Sequence, residues 1–125
     1  MKGFEELDAW KLARIYKSKI AELTTRFPKH EEYELKRQII RPSRSVQANI
    51  AEGFGRFHYQ ENIQFCRQAR GSLTETHNHV FEALDCCYID ENIFNDLKED
   101  FQRCLHVLKG YIAYLKRAKE ESERK

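Results

Sequence analysis

Apolar residues recur along most of the chain at alternating steps of three and four, which is the spacing of one helical face. This pattern predicts a first helix over residues 4–26, and it returns over residues 31–54, 59–88 and 91–118. Residues 119–125 are nearly all charged, so we expect this tail to fray. The chain is therefore predicted to be all-α.

Glycine, proline and aspartate refine these boundaries. Pro28 is expected to end the first helix, and Pro42 falls inside the second, where its ring and missing N–H favour a kink. Gly55 fits the left-handed residue that closes a helix, and Asp90 fits an N-cap. Gly71 lies inside the third helix, where glycine is costly, so it is expected to mark a close contact.

Four helices with short loops predict one domain, residues 1–125, folded as an up-down-up-down antiparallel bundle. Folding the second helix back on the third places Arg41 level with Glu75, and Ser45 level with Arg70, to within about one turn.

Composition restricts the class of protein. Hydrophobic residues make up 41% and charged residues 34%, and no apolar run approaches the roughly 20 residues that span a bilayer. With no signal sequence visible either, a cytoplasmic protein without a membrane segment is expected. The four cysteines are then expected to be reduced, as small core residues.

Positive charge is concentrated in the middle of the chain. Residues 36–70 contain seven Lys and Arg against two acids, a net charge of +5, and six of the seven cations are arginine. Arg37, Arg41 and Arg44 follow steps of four and three, so they share a stripe on the second helix. Such a stripe suits the phosphates and 2′-hydroxyls of structured RNA better than base reading.

At the turn after the second helix, Arg56 lies beside aromatic residues. A cation next to aromatic rings suggests a platform on which RNA bases stack. The aromatic residues there could equally pack under the loop. The set expected to contact RNA is Arg37, Arg41, Arg44, Arg56 and Arg67.

An alternative role for the polar residues of the second and third helices is structural. Opposite charges on facing helices can form a buried network that fixes their register. The expected members are Asn49, Glu52, Arg70 and Glu75.

Catalysis and metal binding have little support. His77 and His79, like Cys104 and His106, are two residues apart, whereas two ligands on a helix need a spacing of three or four. No phosphate-binding glycine loop or nucleophile motif is present. We therefore expect a non-enzymatic protein with no cofactor and no metal.

Aromatic residues exceed what the core of a slim bundle needs, which predicts a subunit interface. The residues in question are Trp10, Tyr16, Tyr33, Phe54, Phe57, Phe65 and Phe81.

Several short motifs occur together: Gln38-Ile39 with Arg41, then Ser45, the run at residues 49–53, and the run at residues 69–73 with Glu75. In this combination the chain resembles the four-helix-bundle proteins encoded in intervening sequences of 23S ribosomal RNA genes, over about residues 4–115. The resemblance implies a ring-shaped homopentamer. A more distant similarity to accessory proteins of diversity-generating retroelements implies a protein partner such as a reverse transcriptase.

Two functions follow as hypotheses. The first is binding of structured RNA, either ribosomal RNA or its intervening sequence, through the arginine-rich face of a cyclic homo-oligomer. The second is a protein-interaction scaffold that recruits a polymerase or reverse transcriptase without contacting nucleic acid. Arginines without acidic partners favour the first, and arginines that are fully paired favour the second.

Overall fold

The computed structural model describes residues 3–124, and this part of the chain contains two short 3₁₀ turns and four α-helices. In chain order these elements are a 3₁₀ turn at Phe4–Glu6, α1 at Asp8–Thr24, a 3₁₀ turn at Lys29–Glu31, α2 at Leu35–Gly55, α3 at Tyr59–Asp85 and α4 at Glu91–Glu123.

The helices pack as a bundle in which each lies against two others. Contacts join α1 to α2, α2 to α3, α3 to α4 and α4 back to α1. Completely buried side chains from all four helices form the core between them, among them Ile20, Ile39, Leu73 and Leu108. The predicted all-α class is confirmed. Within residues 3–124, no helix has both the length and the apolar character needed to cross a membrane.

The ends of α2 and α3 differ from the prediction. Gly55 is still helical, and the left-handed residue after α2 is Phe57, with φ 57°. After α3, Cys87 is left-handed with φ 62°, and the N–H of Tyr88 reaches back to the carbonyl of Ala83 at 2.9 Å. This is the geometry of a Schellman motif, so α3 ends at Asp85, short of the predicted residue 88.

The α2 helix contains Pro42, as predicted, and Pro42 is buried. One other expectation about the helices needs correction. The α4 helix continues to Glu123, through residues expected to fray, because strong helix formers fill this stretch and Lys119 pairs with Glu123 at 3.4 Å. Lys125, the last residue of the predicted tail, lies outside the described residues. The predicted N-cap at Asp90 is confirmed, because its carboxylate accepts from the N–H of Ile93 at 2.9 Å.

The close approach between α2 and α3 occurs at Gly53. A Cβ placed there would lie 2.7 Å from Oδ1 of Asn62 and 3.0 Å from Cβ of Phe65. At Gly71, where the sequence predicted a tight contact, a Cβ would meet no atom of the chain within 4 Å. Glycine is thus required by packing at the end of α2 and tolerated on the open side of α3.

A buried histidine joins three helices. Nδ1 of His77 on α3 lies 2.9 Å from the hydroxyl of Tyr16 on α1, and its ring stacks on Phe101 of α4 at 4.1 Å between centroids. Burial lowers the pKa of His77 to about 4, with a smaller contribution from Lys98. The neutral imidazole is therefore the form that the folded bundle holds.

The four cysteines divide into two pairs, all of them free thiols. Cys66 and Cys104 are buried in the core, where burial raises the pKa of each thiol to about 12. Cys86 and Cys87 are exposed at the turn after α3, so neither is the small core residue that the sequence predicted.

The two glycines provide a matched pair of substitutions. Gly53→Ala should lower the free energy of unfolding by about 1–3 kcal/mol, because the new methyl group overpacks the contact with α3. Gly71→Ala should raise it by up to about 1 kcal/mol, because alanine is the better helix former and space is available. Urea unfolding followed by circular dichroism measures both, and a stabilising Gly53→Ala would contradict the packing described above.

Histidine 77 makes stability depend on pH. Folding lowers the pKa of His77 from 6.5 to about 4. The contribution of this group to the free energy of unfolding is therefore complete above pH 6.5 and is lost as the pH falls toward about 4. The loss attributable to this one group should approach about 3 kcal/mol. Urea midpoints across this pH range should therefore fall less steeply in His77→Gln than in the wild type.

The control for this experiment is His106→Gln, because His106 is an exposed histidine on α4. It should retain the wild-type dependence on pH. An unchanged slope in His77→Gln would mean that the buried imidazole is not the group that titrates.

Candidate nucleic-acid interface

The arginine stripe predicted on α2 is present and faces outward. Arg37, Arg41 and Arg44 are all exposed. Among the described residues none of the three forms a salt bridge. Residues seven apart on a helix are separated by about 10 Å along its axis, so the stripe presents a short row of unpaired guanidinium groups.

Part of this stripe borders a shallow depression of about 290 Å³ between α2 and α3. Arg37 and Arg41 line it together with Tyr33, Glu75 and His79. Arg41 and Glu75 are thus level with each other, as the predicted register requires. The carboxylate of Glu75, however, pairs with His79 on its own helix, at 3.8 Å, and makes no salt bridge to Arg41.

The arginines of α3 differ from each other. Arg67 is exposed, and in the part of the chain that the structure covers it has no acidic partner. Arg70 was predicted on the buried seam of α3, but it is only half-buried, because Ala69 takes the core position. Arg70 is therefore not a core residue of the bundle.

Arg56 is the exception among the five predicted residues. Its Nε lies 3.6 Å from Oε2 of Glu52, and its guanidinium carbon lies 5.1 Å from the ring centroid of Phe65. Because a carboxylate and an aromatic ring already contact this cation, it is less available to a phosphate than the unpaired arginines are.

The polar network predicted between α2 and α3 does not form within this chain. Glu52 and Glu75 each pair inside their own helix, and neither reaches Arg70. The side-chain hydrogen bonds that bridge the two helices run instead through two serines. The hydroxyl of Ser72 donates to that of Ser45 at 3.0 Å.

Asn49 is the one predicted member of the network that takes part in this bridge. Its Nδ2 donates to Oγ and to the carbonyl oxygen of Ser45, both at 2.9 Å. Short side chains serve here because the two helices are close together, and a long ion pair would need more room. The sequence pattern marked both serines without revealing that they face each other.

The residues considered as metal ligands are dispersed. His77 is buried among aromatic rings, His79 contacts Glu75, and Cys104 is in the core. Over residues 3–124, no three His, Cys, Asp or Glu side chains are grouped as a metal site would require.

Comparison with known proteins gives one match. The model of a protein family described as "23S rRNA-intervening sequence protein" matches residues 5–110, which is most of the chain and includes every arginine of the candidate interface. A search of curated proteins gave no match.

Proposed function

This chain belongs to the 23S rRNA-intervening sequence protein family, and we propose that it is a non-enzymatic protein that binds structured RNA through its arginine-rich face. The proposed contacts are Arg37, Arg41, Arg44 and Arg67, with Arg56 at the margin. The proposed ligand is ribosomal RNA or the intervening sequence itself, and the proposed location of the protein is the cytoplasm.

The observation that carries this proposal is the lack of acidic partners. Within the described chain, the four arginines named first are exposed and make no salt bridge. An exposed arginine without a carboxylate displaces the counterions condensed on the RNA when it binds a phosphate, and no existing ion pair is broken. Its planar fork also matches a phosphate in two-point geometry.

The mode of binding should follow from the position of the stripe on a helix surface. The arginines lie along a helix surface, where Arg37 and Arg41 line a shallow depression, so they suit the backbone of a folded RNA. Contacts to phosphates and 2′-hydroxyls carry little sequence information, so each chain should show little preference for base sequence.

We further propose an up-down-up-down antiparallel order of helices and a cyclic homo-oligomer, with five subunits as the expected number. The contacts at Gly53 with Asn62 and at Ser45 with Ser72 support an antiparallel α2–α3 pair. Exposed apolar side chains support self-association, since large rings left in water favour an interface. The side chains proposed for that interface are Tyr33, Ile15 and Phe81, all of them exposed.

The second candidate function is a scaffold that recruits a polymerase or a reverse transcriptase. It is favoured by the same exposed aromatic side chains and by the pairing of Arg56 with Glu52. It requires the arginine face to be neutralised by acidic residues of a partner or of another subunit.

Salt dependence tests the RNA proposal. Binding of a structured ribosomal RNA hairpin, followed by fluorescence anisotropy, should weaken steeply as salt rises. The double variant Arg37→Ala/Arg44→Ala should bind about tenfold more weakly, and its slope of log K against log salt should be smaller by about 1.5, the loss of two phosphate contacts.

The matched control for that experiment is Lys109→Ala/Arg117→Ala, because both residues are exposed cations on α4 and the net charge changes equally. This control should keep the wild-type slope. Equal losses in the two double variants would mean that net charge alone drives binding, and no binding at low salt would leave only the scaffold.

The oligomer proposal has its own test. Light scattering coupled to gel filtration should give a mass of about 75 kDa, five copies of the 15.0-kDa chain. The mass should persist on dilution to micromolar concentration, because buried aromatic surface stabilises the ring. A mass near 15 kDa would show that the exposed rings do not mediate self-association.

A further inference from the structure

A cavity of about 680 Å³ lies at one end of the bundle, where the start of α1, the α2–α3 turn and the second half of α4 meet. Its volume is within the range of roughly 300–1,000 Å³ that is typical of small-molecule sites in proteins. None of the residues proposed to contact RNA lines it.

Five aromatic rings line the cavity. Phe54 comes from the end of α2, Phe57 from the α2–α3 turn and Tyr59 from the start of α3, and Tyr111 and Tyr114 come from α4. Tyr111 and Tyr114 are nearly parallel, with 14° between their planes. Phe57 is 83% exposed and Tyr114 is 53% exposed, so ring faces remain open to a ligand.

The backbone at Phe57 holds its ring at the cavity under strain. A bulky residue at φ 57° is in the left-handed region, which glycine adopts more readily. Such strain persists where the surrounding structure or a function maintains it. The strained residue lies directly at the aromatic walls of the cavity.

Acidic and imidazole side chains also line the cavity. Asp8, in the first turn of α1, lines it together with His58, and among residues 3–124 no lysine or arginine does. Arg56 is adjacent in sequence to Phe57, but its guanidinium group contacts Glu52 and Phe65 instead. A ligand in this cavity would therefore meet the carboxylate of Asp8, whereas the guanidinium group of Arg56 lies outside the cavity.

A hydrogen bond between two side chains also fixes one wall of the cavity. Nδ2 of Asn62, a buried residue, donates to the hydroxyl of Tyr111 at 3.1 Å. This bond holds the hydroxyl end of Tyr111, whose side chain lines the cavity. Aromatic faces beside a carboxylate are the surroundings in which proteins bind organic cations.

We propose that this cavity is a binding site for a hydrophobic organic cation, whose charge faces Asp8 and the ring faces of Phe57, Tyr59 and Tyr114. The site is separate from the arginine face, and it requires no RNA.

A pair of probes with the same shape and opposite charge tests the sign of the charge directly. The full-length protein is titrated with tetraphenylphosphonium and with tetraphenylborate by isothermal calorimetry. Tetraphenylphosphonium should bind with a stoichiometry of one per chain, and tetraphenylborate should bind at least about tenfold more weakly.

Three variants locate the site. Phe57→Gly relieves the left-handed strain, so it should be at least as stable as the wild type and yet bind the cation about tenfold more weakly. Tyr114→Ala should cause a similar loss, and Asp8→Asn a loss of about threefold. Tyr33→Ala is the control, because it removes an exposed tyrosine that does not line the cavity.

The outcomes separate clearly. Equal binding of the two probes would overturn the proposal, as would equal losses in Tyr33→Ala and Tyr114→Ala, or no binding at millimolar concentration. Arg37→Ala/Arg44→Ala should bind tetraphenylphosphonium as the wild type does. Because this variant changes only the arginine face, its binding of the probe distinguishes failure of the cation-site proposal from failure of the RNA proposal.

Discussion

The contact between Gly53 and Asn62 sets the geometry on which the rest of the bundle depends. Only a residue without a side chain allows α2 to approach α3 here, since the amide oxygen of Asn62 would lie 2.7 Å from a Cβ. The other end of the same amide bonds to Tyr111 of α4 at 3.1 Å. The buried side chain of Asn62 thus links α2, α3 and α4. The same contacts fix one wall of the end cavity and the distance between α2 and α3, the two helices that carry the arginines.

The unpaired state of the arginines has a local cause. A helical arginine usually finds its acid three or four residues away. On α2, however, such positions hold other arginines or uncharged residues, and Glu34, three before Arg37, precedes the helix with non-helical dihedrals. The acids that are present pair within their own helices, Glu52 with Arg56 and Glu75 with His79. Positive charge on this face is therefore built into the order of residues along α2.

Periodicity in the sequence was sufficient to predict four helices, because a core seam repeats at a spacing that chance seldom sustains. It could not separate Ala69 from Arg70, since both positions fit a three–four alternation and only packing against α2 decides between them. Nor could it choose between Gly53 and Gly71, because the cost of a helical glycine is visible in the sequence whereas the neighbour that requires it is not. Gly55 is still helical, so the left-handed residue comes two positions later, at Phe57. Glycine adopts this conformation most readily, so the sequence alone favoured residue 55.

Arg56 lies in sequence between the arginines of α2 and the aromatic residues of the end cavity. Phe57 turns toward the end cavity, whereas the guanidinium group of its neighbour turns back to Glu52 and Phe65. The left-handed backbone of Phe57 separates these directions, because it reverses the chain within one residue. Had Arg56 reached into the cavity, a cation would be repelled there. Its pairing with Glu52 therefore keeps positive charge out of the cavity, and the unpaired arginines of α2 and α3 keep it on the face where RNA is proposed to bind.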